Sequence, residues 1–398
     1  MRKPELLAPA GDLEKLKIAL LYGADAVFIG GKRFSLRARA SNFDLDTIAD
    51  AVTFAHARGK KVYVTTNIIP QAGDLAGFVE YVKQLEALQV DAVICASAAM
   101  IDIVRTHTNL EIHLSTQQSI TNSKAVAFWA ERGVKRIVLA REVTLEELSM
   151  LSPKASIDLE VFIHGGMCVS YSGKCTLSNT MTDRDANRGG CAHSCRWDYD
   201  LFDGEVKLNT SMPFSMGSKD LQTVRHVSQL VDLGVASLKI EGRMKSIHYI
   251  ATVVRTYRKL IDDICDEIEV DLPKYLLEIK KAENRLTSHG FMAGMTSVNE
   301  QLYNLRSEQP TQAFVGLVID YDALTHTVTF EQRNYFEAGD ILEVLSPRFE
   351  PVSLKVEGLR DADTGEVVDV ARHPKQRLTM PTPIPLEPFD MVRRARVK

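Results

Sequence analysis

One unit recurs along roughly the first 265 residues: an amphipathic stretch closed by glycine or a substitute, two or three polar residues, then a short apolar run. It is legible in YGADAVFIGG, RGKKVYVTTN, LQVDAVICAS, RGVKRIVLAR and LGVASLKIEGR. Glycine at such a junction takes the left-handed conformation that stops a helix. The apolar run that follows reads as a parallel strand buried on both faces. With ELLAPA, EIHLSTQ and DLEVFIHG the count reaches eight strands, near residues 5–9, 25–29, 61–66, 91–95, 111–115, 135–140, 158–163 and 236–241. Between them, Asp12 caps LEKLKIALL, Thr144 and Glu147 form a capping box for LEELSML, and Gly133 closes AVAFWAERG. Eight strand–helix units predict an α/β fold, a TIM (β/α)8 barrel; an open doubly wound sheet is the alternative.

A barrel of this kind does its chemistry at the C-terminal ends of its strands. Those ends carry Gly11, Gly31, Asn67, Ser97, Thr116 with Gln117, Arg141 with Glu142, His164, and Glu241 with Arg243. Directly after His164 the repeat is interrupted by an insertion, residues 165–217, before a seventh helix expected near Ser218. The insertion holds Cys168, Cys175, Cys191 and Cys195, four of the six cysteines in 398 residues, among Gly165, Gly166, Gly173, Gly189 and Gly190. Cysteines serving as small hydrophobes would sit in apolar periodicity, and almost none surrounds these. The spacing C-x6-C-x15-C-x3-C offers one zinc-type knuckle at most, and Asp198 stands where a radical S-adenosylmethionine cluster needs its third cysteine. Four thiolates on glycine-rich loops, which can bend round a cluster and turn N–H groups toward its sulfides, suit a 4Fe-4S cluster, with zinc as the alternative. Cys95 and Cys265 lie in apolar-patterned elements and read as core.

Other residues on the same face invite chemistry. In FSLRARASNF, residues 34–43, Arg37 and Arg39 alternate with apolar neighbours, so an extended segment sends both guanidinium groups one way, as a fork for a carboxylate or phosphate. Asn42 would fix that loop or a substrate edge. Glu241 and Arg243, two positions apart on one strand face, form either a catalytic pair or a structural ion pair. His164 is the imidazole placed to relay protons beside the cysteines, His113 within strand 5 reads as core, and His193 is a further donor between two of the cysteines.

Helices are expected over 246–268 and 273–284, after which the pattern changes. Residues 313–398 alternate polar and apolar in FVGLVIDY, HTVTFEQR, DILEVLS and VSLKVEGL, with five prolines from 374 to 388, and predict a small C-terminal antiparallel β-barrel. The domains expected are therefore the barrel with its insertion at 1–290, a connector at 291–312, and the small barrel at 313–398. A composition 45% apolar and 25% charged supports one large core and a second small one. No apolar run reaches about 18 residues, so no membrane span is expected. The start, MRKPELLAPAGD, lacks the apolar region of a signal peptide, and a cytoplasmic location, where thiols stay reduced, is expected. A net charge of -4 does not advertise nucleic acid, so an RNA partner would need a local basic patch. Arg393, Arg394, Arg396 and Lys398 are the C-terminal candidates, and Arg184, Arg188 and Arg196 in the insertion are the next.

The stretch EVFIHGGMCVSYSGKCTLS, Glu160 to Ser178, resembles the signature of the collagenase-like peptidase family of unknown catalytic type, the thirty-second of the "U" families, departing from it at Gly166. ELLAPAGDLEKLK with YGADAVFIGG, FSLRARASNF, and CRWDYD followed by SLKIEGRMKS extend the resemblance over residues 5–249. Within that family it is similar to the bacterial subgroup that hydroxylates the wobble uridine of tRNA at C5. The resemblance implies oxygen-independent formation of 5-hydroxyuridine, with prephenate, a dicarboxylate, as hydroxyl source and tRNA as partner. It implies Arg37, Arg39, Arg141 and Arg243 as clamps for the donor, and an RNA-contacting role for the C-terminal barrel. A protein partner or a homo-oligomer stays open. Two other functions compete. A peptidase could use Cys168 with His164 as base, although no HExxH, GxSxG or papain-like motif is present. A non-catalytic RNA-binding protein would use the four cysteines only as a structural metal knot.

Overall fold

The structure is a computed structural model and describes residues 2–36, 42–209, 213–282, 285–302 and 314–394. Eight strands run parallel in chain order: β1 (Glu5–Pro9), β2 (Ala26–Gly30), β3 (Lys61–Thr66), β4 (Ala92–Cys95), β5 (Glu111–Leu114), β6 (Arg136–Val138), β7 (Asp158–Gly165) and β8 (Ser237–Ile240). β8 pairs with both β7 and β1, which closes the cylinder and excludes the open sheet. The connecting helices are α1 (Leu13–Leu21), α2 (Leu45–His56), α3 (Phe78–Ala87), α4 (Ala98–His107), α5 (Ser123–Ala130) and α6 (Leu145–Leu151). Their ends follow the expected caps: the Asp12 carboxylate accepts from the Lys15 N–H at 2.9 Å, and Thr144 and Glu147 form their reciprocal box.

Outward-facing strand residues such as Val27, Ile29, Val64, Leu238 and Ile240 pack beneath the helices in the main core. The inward rows depart from the continuous apolar strands expected. Glu5, Tyr63, Arg136, Glu160, Ser237 and Lys239 face one another inside the barrel. Arg136 reaches Glu5 and, at 3.3 Å, Glu160; Lys239 bonds Glu160 at 2.7 Å; Tyr63 donates to Glu5 at 2.6 Å. Charges so deeply buried persist only when paired, and barrel closure brings the pairs together from strands distant in sequence.

After β7 the insertion folds over the barrel mouth and contains one short helix, α7 (Leu177–Thr182). No helix starts near Ser218. Asp220–Gln222 instead forms a short strand antiparallel to the end of β7, and α8 (Val227–Asp232) begins only after a 3-10 turn. The Asp220 carboxylate explains the difference: it is buried beside Arg196, Lys245 and Arg285, and these contacts hold the segment against β7. The long α9 (Ile247–Cys265), capped by Ser246, and α10 (Leu272–Lys280) complete the outer layer. Met292 packs in the same core, and the Leu302 N–H bonds the Gly217 carbonyl.

Beyond, β9 (Phe314–Asp322), β10 (Thr327–Gln332), β11 (Ile341–Leu345), β12 (Val352–Lys355), β13 (Arg377–Pro381) and β14 (Met391–Arg394) build a curled antiparallel sheet in the order β12-β11-β14-β9-β10-β13, with Arg360–Asp361 added at the far edge. It encloses its own core around Phe330, Phe336 and Leu378. Its seam with the barrel is polar as well as apolar. The Tyr22 hydroxyl reaches the carbonyls of Leu345 and Phe389 at 2.8 and 2.9 Å. Arg393, fully buried, pairs with Glu278 of α10 and Glu343 of β11 at 2.5 and 2.6 Å. Arg393 is therefore not part of a solvated basic tail; two carboxylates facing each other across the seam require its charge there. Arg394 stays half-exposed near Asp340, while Arg396 and Lys398 lie outside the described residues.

Candidate active site at the barrel mouth

The ends of the strands and the insertion enclose a cavity of about 220 Å³. Its floor is Phe28, Ile94, Val138, Phe162 and Lys239; its wall includes Thr65, Asn67 and Gln117; its roof carries Cys168, Cys175, Cys191 and Cys195. All four proposed ligands therefore line one space, at the end of the barrel where strand-end chemistry was expected. Local structure makes this roof. Gly173 has φ +71°, and a Cβ there would run into the Gln117 carbonyl, so only glycine lets the insertion lie this close to β5. The Glu142 carboxylate accepts from the Ser172 N–H and hydroxyl at 2.9 and 3.0 Å, Arg188 makes a two-pronged contact with Asp74 at 2.7 and 3.0 Å, and Asn187 donates to the Cys175 carbonyl at 3.1 Å.

The thiols feel one another. Partial burial pushes Cys168 above its ordinary pKa, and Cys175 and Cys191 add to the rise. Burial, then the charges of Cys168, Cys191 and Cys175, take Cys195 up to about 11. Four thiols whose negative charges oppose one another form a donor set that a cationic metal centre would relieve. Among the described residues no three His, Cys, Asp or Glu side chains converge as ligands of one ion do. Tetrahedral zinc with Zn–S bonds of about 2.3 Å needs sulfurs about 3.8 Å apart. A polynuclear cluster spaces its cysteine sulfurs more widely than a single ion does.

The other expected residues fall into three groups. Arg141, Glu241 and Arg243 line the cavity. Arg141 lies over the Phe162 ring, 4.0 Å from its centroid. Arg243 is buried and donates to the Leu36 carbonyl at 3.3 Å and to Asn42 at 2.7 Å, so it ties these two residues together. A Cβ on Gly30 would collide with that guanidinium. Arg37 and Arg39 themselves lie outside the described residues.

His164 is a correction. Strand alternation would turn it inward with Glu160 and Phe162, but β7 carries a bulge between its pairings with Lys239 and Ile240. The bulge sends His164 to the outer face, opposite outward-facing Ile240, where its Nδ1 lies 3.3 Å from the Tyr257 hydroxyl and its ring packs on Tyr249 and Tyr257 of α9. Burial, with Lys245, pulls its pKa down to about 3. It neither lines the cavity nor meets Cys168, so neither the proton relay nor the Cys168–His164 dyad is formed. The residue missed altogether is Lys239. Its signal was a lysine at an inward position of the SLKI strand, hidden inside an apolar run.

A closed parallel barrel whose strand ends carry a four-thiol pocket under an inserted roof defines a (β/α)8 protein with a cavity at its C-terminal face. The chain belongs to peptidase family U32: residues 11–302 match that family and residues 310–393 match its C-terminal domain. It is 46% identical to tRNA hydroxylation protein P1 of Bacillus subtilis over 99% of this chain and 96% of that protein. It is 37% identical to the 23S rRNA 5-hydroxycytidine C2501 synthase of Escherichia coli over 66% of this chain and 40% of that one, and 29% identical to a Porphyromonas gingivalis protein named collagenase over 98% of this chain and 97% of that one. No helix among the described residues is long and apolar enough to cross a membrane.

Proposed function

We infer that this chain is an RNA-hydroxylating enzyme whose substrate is tRNA, forming 5-hydroxyuridine at the wobble position without molecular oxygen and with prephenate as hydroxyl source. The observation that carries the reading is the end-to-end similarity to a tRNA hydroxylation protein in a chain whose four clustered cysteines line one cavity. Cys168, Cys175, Cys191 and Cys195 would hold a 4Fe-4S cluster, which supplies electron transfer or a Lewis-acidic iron at the cavity roof. The chain's own groups do the rest. Arg141 and Arg243 give the wall the positive charge that a dicarboxylate requires, and Asn67 and Gln117, bonded to each other at 2.9 and 2.7 Å, hold that wall rigid.

A strain lacking the gene tests this through the nucleoside profile of its tRNA. Loss of 5-hydroxyuridine and its derivatives is expected, restored by the wild-type gene and by Cys265→Ser but not by Cys191→Ser. An unchanged profile in the deletion strain would overturn the reading.

A further inference from the structure

The floor of the cavity holds a cation that none of the chemistry above uses. Lys239 is 4% exposed, on the inward face of β8, and its ammonium sits between two ring faces, 4.5 Å from the Phe28 centroid and 5.5 Å from that of Phe162. Glu160, fully buried, takes one of its three N–H donors. Burial would raise the pKa of Glu160, but Lys239 and Arg136 hold it low. The glutamate is thus ionised, and its bond at 2.7 Å aims the lysine side chain. Arg141 lies over the same Phe162 ring at 4.0 Å. The two cations are therefore separated by no more than the sum of their distances to that ring. Arg243 is bonded to Leu36 and Asn42. Glu241 is the one carboxylate that lines the cavity with these three cations among the described residues.

We propose that Lys239 and Arg141 are the two poles of a dicarboxylate site built around Phe162, with Lys239 receiving the carboxylate that enters deepest. The proposal deepens the reading above, on which it rests, by naming the residue that selects a dicarboxylate over a monocarboxylate. An ammonium in an apolar floor attracts a carboxylate far more strongly than one in water does, because little solvent screens the pair. The ring faces leave it only weakly satisfied, so the ligand's oxygen completes its hydrogen bonding.

The test is calorimetric titration of the cluster-loaded protein with prephenate and with phenylpyruvate, which lacks the second carboxylate. Wild type should prefer prephenate. Lys239→Met should weaken prephenate at least about tenfold, the worth of one charge-assisted hydrogen bond, and leave phenylpyruvate nearly unchanged, so that the preference collapses. Lys239→Met alone leaves Glu160 short of a partner, so the double variant Lys239→Met/Glu160→Gln, which removes both charges, is measured beside it, with iron content and melting temperature as checks of integrity. Retained preference in either folded variant would overturn the proposal and leave the hydroxylase reading standing. Wild-type protein that binds no prephenate would remove the donor assignment and this inference together, whatever the tRNA profile of the deletion strain.

Discussion

His164 and His248 carry the same physics in two places. Each imidazole is buried, and burial, aided by Lys245 for the first and Arg393 for the second, lowers its pKa from 6.5 to about 3. The unfolded chain therefore binds a proton near pH 6.5 that the folded chain refuses until about pH 3. Each group makes the folded state less stable as pH falls below 6.5, by about 1.4 kcal/mol per pH unit in that window. His164→Phe, which keeps the ring packing against Tyr249 and Tyr257, should flatten the pH dependence of urea unfolding between pH 6.5 and 5 by about that slope. An unchanged slope would mean that His164 is protonated in the folded protein. The sequence marked His164 by position alone, since a bulge is not legible in VFIHGG. The cysteines were legible because four thiols in so short a stretch need a common cause wherever the chain takes them.

The insertion is held as an element by a few contacts that tolerate little change. Gly173 is the tightest of them, with positive φ and no room for a Cβ against Gln117. Gly173→Ala should cost about 1–3 kcal/mol in strain at an αL position and lift the roof from the strand ends. Anaerobically reconstituted Gly173→Ala protein is then expected to hold less iron than wild type, while Gly204→Ala, in an open turn of the same insertion, should keep wild-type iron. Equal iron in both would show that the close approach to β5 does not shape the site. The expected helices 246–268 and 273–284 end earlier, at Cys265 and Lys280, but strand positions were readable to within two residues because apolar runs are local signals. The strand Asp220–Gln222 was not, because Arg196, Lys245 and Arg285 reach Asp220 from three separate segments.

Across the whole molecule, the C-terminal sheet and the barrel share a seam. Leu317, Leu345 and Met391 belong to the barrel's core cluster, and Arg393 is closed in by Glu278 and Glu343. Removing residues 313–398 would therefore uncover α9 and α10 as well as any RNA contact, which makes truncation a poor probe of RNA binding. Arg393→Ala is the cleaner experiment. It removes one of the two cations that hold these largely buried carboxylates, Lys281 staying 3.1 Å from Glu278 and 2.9 Å from Glu343, and should cost about 1–3 kcal/mol, seen as a lower denaturation midpoint, whereas Arg394→Ala should cost less than about 1 kcal/mol. The salt dependence of tRNA binding should be the same in Arg393→Ala as in wild type, since a buried guanidinium releases no counterions from RNA. A reduced salt slope would return Arg393 to the RNA interface. By itself the sequence determined the eight strand–helix units, the all-β character of the C-terminal region, the place of the insertion and its four thiols, because periodicity, glycine stops and residue clustering act over a few neighbouring positions. Only the tertiary structure decided that the barrel closes over paired charges, that Lys239 lies at the floor of the cavity, that His164 faces α9, and that Arg393 is buried in a seam. Each of those depends on which distant strand or helix supplies the facing side chain, and burial makes that partner decide whether a charge is held, displaced or neutral.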